Sequence, residues 1–207
     1  MRFSFCLALW CFLSIGCGPQ ERSLDEMDFV QRDNQQLYYF EGSPFSGLVI
    51  DHTDTPARIV YTVNEGVLNG PVTHFNKAEQ LVFVEQYRKG KLNGLVESFF
   101  SSGVKQYSYH YEAGIKSGPQ KLYYPSGQLK KVLSYTAGRL TGDNYLYYSD
   151  GKLQYHFHFN AQGQRNGLWE KFFSNGGLKE QITYNNGLLV PPIKRYDPEG
   201  NLINYTP

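Results

Sequence analysis

From Leu81 onward, apolar and polar positions alternate in short blocks. One alternation reads Leu81, Phe83, Glu85, Tyr87, and the next Lys105, Tyr107, Tyr109, Tyr111 against Gln106, Ser108, His110. The pattern returns as Leu129, Lys131, Leu133, Tyr135, then Leu153, Tyr155, Phe157, Phe159, then Leu178, Glu180, Ile182, Tyr184. The interleaved residues are mostly Gln, Lys, Ser, Thr and His. Side chains of a strand point alternately to its two faces, so each block presents one aromatic face and one polar face. This pattern predicts half-buried antiparallel strands. A shorter strand precedes each block and carries ring pairs such as Tyr123-Tyr124, Tyr147-Tyr148 and Phe172-Phe173.

The blocks recur with a period of about 24 residues, the mark of a repeat array. Each unit opens on a glycine: Gly47, Gly70, Gly94, Gly118, Gly142 and Gly167, with Pro191 in that place in a last partial unit. Five places on stands an aromatic in six of the seven units, and nine places on stands Gly103, Gly127, Gly151, Gly176 or Gly200. A further glycine closes most units, as in Ala113-Gly114 and Asn186-Gly187. Ser126-Gly127, Asp150-Gly151 and Asn175-Gly176 are expected as hairpin turns within units, and Asn69-Gly70, Asn93-Gly94 and Asn166-Gly167 as turns between units. The pattern predicts an all-β chain: tandem hairpins of about 24 residues over 37–207, forming an elongated twisted antiparallel sheet. One hairpin is marginal alone, and each copy pairs with the last. The first unit, with HTDTPAR in place of a tight turn, and the last, with Pro191-Pro192, are expected as capping units.

The units SGPQKLYYPSGQLKKVLSYTAGRL and NGLWEKFFSNGGLKEQITYNNGLL resemble the MORN-repeat variant of bacterial YwqK-type antitoxin-like proteins. The resemblance covers about residues 38–205. It implies a row of β-hairpins joined edge to edge, and it brings an immunity or antitoxin role, neutralising a cognate toxin, as an alternative function.

The amino terminus has a different character. Arg2 is followed by an apolar run from Phe3 to Ile15, too short as a helix for the ~30 Å hydrocarbon core, so a signal peptide over 1–16 is expected. Ser14-Ile15-Gly16-Cys17 resembles the lipobox of bacterial lipoproteins, with Ser14 where that family usually has Leu. The three cysteines, Cys6, Cys11 and Cys17, all lie in or at the edge of this leader. After cleavage only Cys17 would remain, and a lipid attachment site accounts for a lone terminal thiol. The expected location is the cell envelope, anchored through the N-terminal lipid, at the outer membrane if the host has one. Residues 17–36 are polar and lack either periodicity, and are read as a tether, with a short helix around Leu24 to Val30 as the alternative.

Charge and motifs narrow the chemistry. Lys+Arg is 20 and Asp+Glu is 19, and no basic run builds the patch that a nucleic-acid partner needs. No phosphate loop, nucleophile elbow or paired-cysteine metal motif is present, so no catalytic residue, cofactor or metal is assigned. His156 and His158 share a face, but the pair is read as polar-face residues. The candidate binding face is Tyr107, Tyr109, Tyr111, Tyr155, Phe157 and Phe159, for a protein or glycan partner, since a single-layer sheet has no second layer to cover it; the alternative is that twisting and the preceding strands bury these rings as the array's own core.

Overall fold

The computed structural model describes residues 19–52 and 58–206. Cys17, the leader and most of the HTDTPAR stretch lie outside the described residues. The rest is built of strands, with one turn of 3-10 helix at Leu24–Glu26. A 16-stranded sheet follows chain order from Gly47–Asp51 to Leu202–Thr206 with antiparallel neighbours. Glu21–Ser23 adds to its first edge in parallel, beside Gly47–Asp51.

The repeat unit is visible in the register. Strands Lys91–Phe99, Lys105–Glu112, Ile115–Tyr123 and Leu129–Thr136 pair in succession. Within a unit the turn is a short loop: the Gly103 amide donates to the Phe100 carbonyl at 2.8 Å, and the Phe100 amide to the Val104 carbonyl at 2.8 Å. Gly127 holds the same place at φ 87°, in the left-handed region that such loops require. Gly103, Gly151 and Gly176 do likewise, at φ 80°, 86° and 95°.

Between units the turns differ from the expectation. Two-residue turns fall at the closing pairs, such as Ala113-Gly114 at φ 49° and 87°, with both residues in the left-handed region of a type I′ turn. Asn93-Gly94 lies instead inside the strand Lys91–Phe99. Gly94 faces Tyr111 of the next strand, where the register is disturbed between Glu85 and Tyr87 on the preceding strand. A Cβ on Gly94 would lie 2.9 Å from the Gln86 Cβ, so this glycine serves a close approach beside a bulge and not a turn. Gly118, Gly142 and Gly167 likewise pair with Tyr135, Phe159 and Tyr184.

A second bulge interrupts each long strand at its start. Tyr107 pairs with Ser98, whereas Lys105 pairs with Phe99. Lys105 therefore leaves the alternation of Tyr107 and Tyr109 and reaches Glu97 on the polar face, forming an ion pair. Strict period-two counting misses this because one bulge residue reverses the side on which the following residues fall.

The segment expected as a tether is folded from residue 21 on. Asp28–Arg32 and Gln35–Phe40 form a hairpin, and Ser43–Pro44 completes a three-stranded sheet. Asp33 and Asn34, at φ 49° and 61°, make its two-residue turn. The small sheet packs over one end of the large one. Met27, Tyr38, Phe45, Val49 and Val63 form the core there, and Val49 is fully buried. The Gly66 amide donates to the Phe45 carbonyl and the Tyr38 amide to the Gly66 carbonyl, both at 2.8 Å, so the cover is fastened at an inter-unit turn. Burial of these apolar groups outweighs the polar composition that made residues 17–36 look like a spacer.

Candidate functional site

The aromatic face can be followed strand by strand through its central row. Val49 faces Tyr61, Tyr61 faces Val72, Val72 faces Glu85 and Glu85 faces Val96. Val96 then faces Tyr109, Tyr109 faces Gln120 and Gln120 faces Leu133. The row continues through Asn144 opposite Phe157, and through Trp169 opposite Ile182. Half of this row comes from a position two places after each opening glycine, which the alternation of the long strands did not mark.

That position carries Val72, Val96, Gln120, Asn144 and Trp169, and the first four are buried. The polar members repair the backbone where the bulges break the ladder. Gln120 Nε2 donates to the His110 carbonyl at 2.9 Å, and Trp169 Nε1 to the His158 carbonyl at 3.0 Å. Asn144 Oδ1 accepts from the Ser134 amide at 2.9 Å, while its Nδ2 donates to the Gly142 carbonyl at 2.8 Å. A buried carbonyl without a donor costs ~1–3 kcal/mol, so these side chains are first structural.

The small sheet covers the first end of the face. Tyr38 lies 6.0 Å from Tyr61, ring centre to ring centre, and burial pushes the Tyr38 hydroxyl up to about 12. Tyr87, whose hydroxyl donates to Glu85 at 3.3 Å, is also pushed up to about 12, chiefly by burial. A single-layer sheet with nothing above it was expected; over the first two units the chain supplies its own second layer. Beyond them, among the described residues, the face carries no such cover.

The six candidate rings fall into two groups. Tyr107 and Tyr109 stack at 4.6 Å and 19°, with Tyr111 beyond them opposite Gly94. Tyr155, Phe157 and Phe159 are neighbours at 5.6 and 5.9 Å. All six are half-buried. Trp169 joins the second group, 5.2 Å from Phe157, 5.3 Å from Phe159 and 5.2 Å from Tyr184. The two groups are separated by the strands Ile115–Tyr123 and Leu129–Thr136, where Lys116, Gln120, Lys131 and Leu133 replace rings. The break was legible in the alternation itself, where Lys131 and Leu133 stand in the places that Tyr107 and Tyr109, and Tyr155 and Phe157, hold in the neighbouring units.

The opposite face is polar and paired. His156 Nε2 and His158 Nδ1 both lie near Asp143 Oδ1, at 3.1 and 3.0 Å, and His156 Nδ1 is 3.4 Å from Glu170. The hydrogen bond with His158 holds the Asp143 carboxyl below its ordinary value. Among the described residues no group of three or more His, Cys, Asp or Glu is placed to hold a metal ion.

Comparisons with known proteins agree with this geometry in one respect. Among solved structures, alternansucrase in complex with isomaltononaose aligns at 15% identity over 86% of this chain and 16% of that one, with a TM-score of 0.19, a likeness that carries no argument. No curated protein matches. Residues 116–137, 140–161 and 165–186 match the MORN repeat variant, each spanning one pair of adjacent antiparallel strands of the large sheet. Three units of the chain thus match the MORN repeat variant, and they lie where the aromatic face is uncovered.

Proposed function

We propose that the protein is a non-catalytic, lipid-anchored scaffold of the cell envelope that binds a protein or glycan on its aromatic face. The observation that carries this reading is the contrast along one face of one sheet. At its first end the chain covers the face with its own three-stranded sheet and buries Tyr38 and Val49. Over the MORN units the same face keeps half-buried rings and no second layer among the described residues. Contiguous apolar surface of that kind marks interaction sites. Repeat sheets suit such a role because they offer an extended surface without one deep pocket.

The anchor rests on the sequence alone, on Ser14-Ile15-Gly16-Cys17 and the absence of any later cysteine. Mass spectrometry of the membrane-fraction protein checks it: Cys17 carries acyl chains, and Cys17→Ser moves the protein to the soluble fraction. A wild type that is already soluble and unacylated refutes the anchor. For the face, Tyr155→Ala and Phe157→Ala are expected to weaken partner binding while lowering the melting temperature only by a few degrees. If binding is unchanged in both, the partner does not use this face.

A further inference from the structure

Between the two ring groups the aromatic face changes chemistry. A cleft of about 240 Å³ is lined by Tyr109, Lys116, Gln120, Lys131, Leu133 and Tyr135, among others. It is smaller than the ~300–1,000 Å³ of sites for drug-sized ligands, and fits one compact unit of a longer molecule. Tyr109 and Tyr135 stand on either side of Lys116, whose Nζ lies 5.4 and 5.5 Å from the two ring centres. Gln120 is 3% exposed. Its Nε2 is used on the His110 carbonyl, and its Oε1 is buried with no donor.

Charge around the cleft is one-sided. Among the described residues neither Lys116 nor Lys131 takes part in a salt bridge. The carboxylates of the intervening strands point the other way: Glu97 faces Ser108, and Asp143 faces His158 and pairs with it. The carboxylates of this face nearest the cleft are Glu85, three strands before Gln120, and Glu180 beyond the second ring group. Two ammonium groups with no anion, two ring walls and an acceptor lacking a donor lie together, with stacking platforms on both sides.

We infer that this cleft recognises an acidic sugar unit of a glycan, and that the ring groups on either side stack against its neighbours. A carboxylate on the sugar would sit between Lys116 and Lys131, a ring hydroxyl would supply the donor that Gln120 Oε1 lacks, and the apolar face of the pyranose would lie on Tyr135. An acidic peptide meets the charge requirement but does not need paired ring platforms beside it. This inference rests on the reading of the aromatic face as a binding surface.

The test is calorimetric titration of the protein with a short oligogalacturonate and, separately, with its neutral oligogalactose counterpart. The expected result is binding of the acidic oligomer at least about tenfold tighter than the neutral one, a preference worth ~1.4 kcal/mol. The double variant Lys116→Gln, Lys131→Gln should lose that preference while lowering the melting temperature by no more than a few degrees, since neither side chain takes part in a salt bridge and Lys116 gives up only its contacts with the Tyr109 and Tyr135 rings. Raised salt should weaken the acidic ligand and leave the neutral one unchanged. Equal affinity for the two oligomers, or a lysine variant that still prefers the acid, overturns the inference. If both sugars bind equally and Phe157→Ala weakens them, the face reading stands and only the acidic site falls. If neither sugar binds but an acidic peptide does, the partner is a protein and the inference is again overturned.

Discussion

Glu85 occupies the central row of the aromatic face, between Val72 and Val96, with Tyr87 donating to it at 3.3 Å. Burial raises its carboxyl above the ordinary 4.5, and the Tyr87 hydrogen bond offsets only part of that. The consequence for stability follows from the order in which the two states ionise. Below about pH 4.5 the carboxyl is protonated folded and unfolded, and the residue costs nothing. As pH rises through 4.5 the unfolded chain ionises first, and the cost is complete once the folded carboxyl has ionised as well. Glu85→Gln keeps an acceptor for Tyr87 and removes the charge. It is expected to raise the melting temperature at neutral pH and to make no difference near pH 4. A variant no more stable than wild type at neutral pH would show that Glu85 is better solvated than its place in the row implies. A carboxylate at this point was visible in the sequence as the odd member of Leu81, Phe83, Glu85, Tyr87. What it touches was not, because its cross-strand partners Val72 and Val96 lie on Val67–Phe75 and Lys91–Phe99, strands expected to be short that at nine residues are no shorter than Leu81–Arg88.

At the scale of the element, the hairpin and its period were legible, and the bulges were not. Glycines nine places into each unit mark loops that need a left-handed residue, as Gly127 does at φ 87°. A Cβ there would meet Val104 Cγ1 at 3.7 Å, an ordinary contact, so the penalty for substitution is conformational and not steric. Gly127→Val is expected to cost about 1–3 kcal/mol, whereas Ser126→Ala should change stability by less than about 0.5 kcal/mol. Equal melting temperatures for the two variants would contradict the loop geometry. The opening glycines were misjudged for a physical reason. An Asn-Gly pair satisfies a two-residue turn and a bulge alike, and only the pairing of Gly94 with Tyr111 separates them. Likewise the hairpin around Asp33-Asn34 was hidden in polar composition. The signal was present in that dipeptide and in Phe29, Val30, Leu37 and Tyr38, but two short strands carry too few apolar positions to declare a period.

The whole molecule is a long sheet with two unlike faces and one covered end. Its polar face is stitched by pairs such as His158 with Asp143 and Lys105 with Glu97. Its aromatic face holds a closed core under the small sheet and an open strip along the MORN units, and the functional proposals depend on that difference. The sequence announced the rings and the repeat; it could not announce the cover, because the packing of Tyr38 on Tyr61 joins residues from two different sheets. Hydroxyl-radical footprinting of the native protein, read residue by residue by mass spectrometry, tests the difference directly, since it reports ring exposure without depending on ionisation. The account predicts that Tyr107, Tyr109 and Tyr155, all half-buried, oxidise several-fold faster than Tyr38, which is 4% exposed. Protection of Tyr107, Tyr109 and Tyr155 equal to that of Tyr38 would show that the strip is closed in the free protein, and would contradict the account.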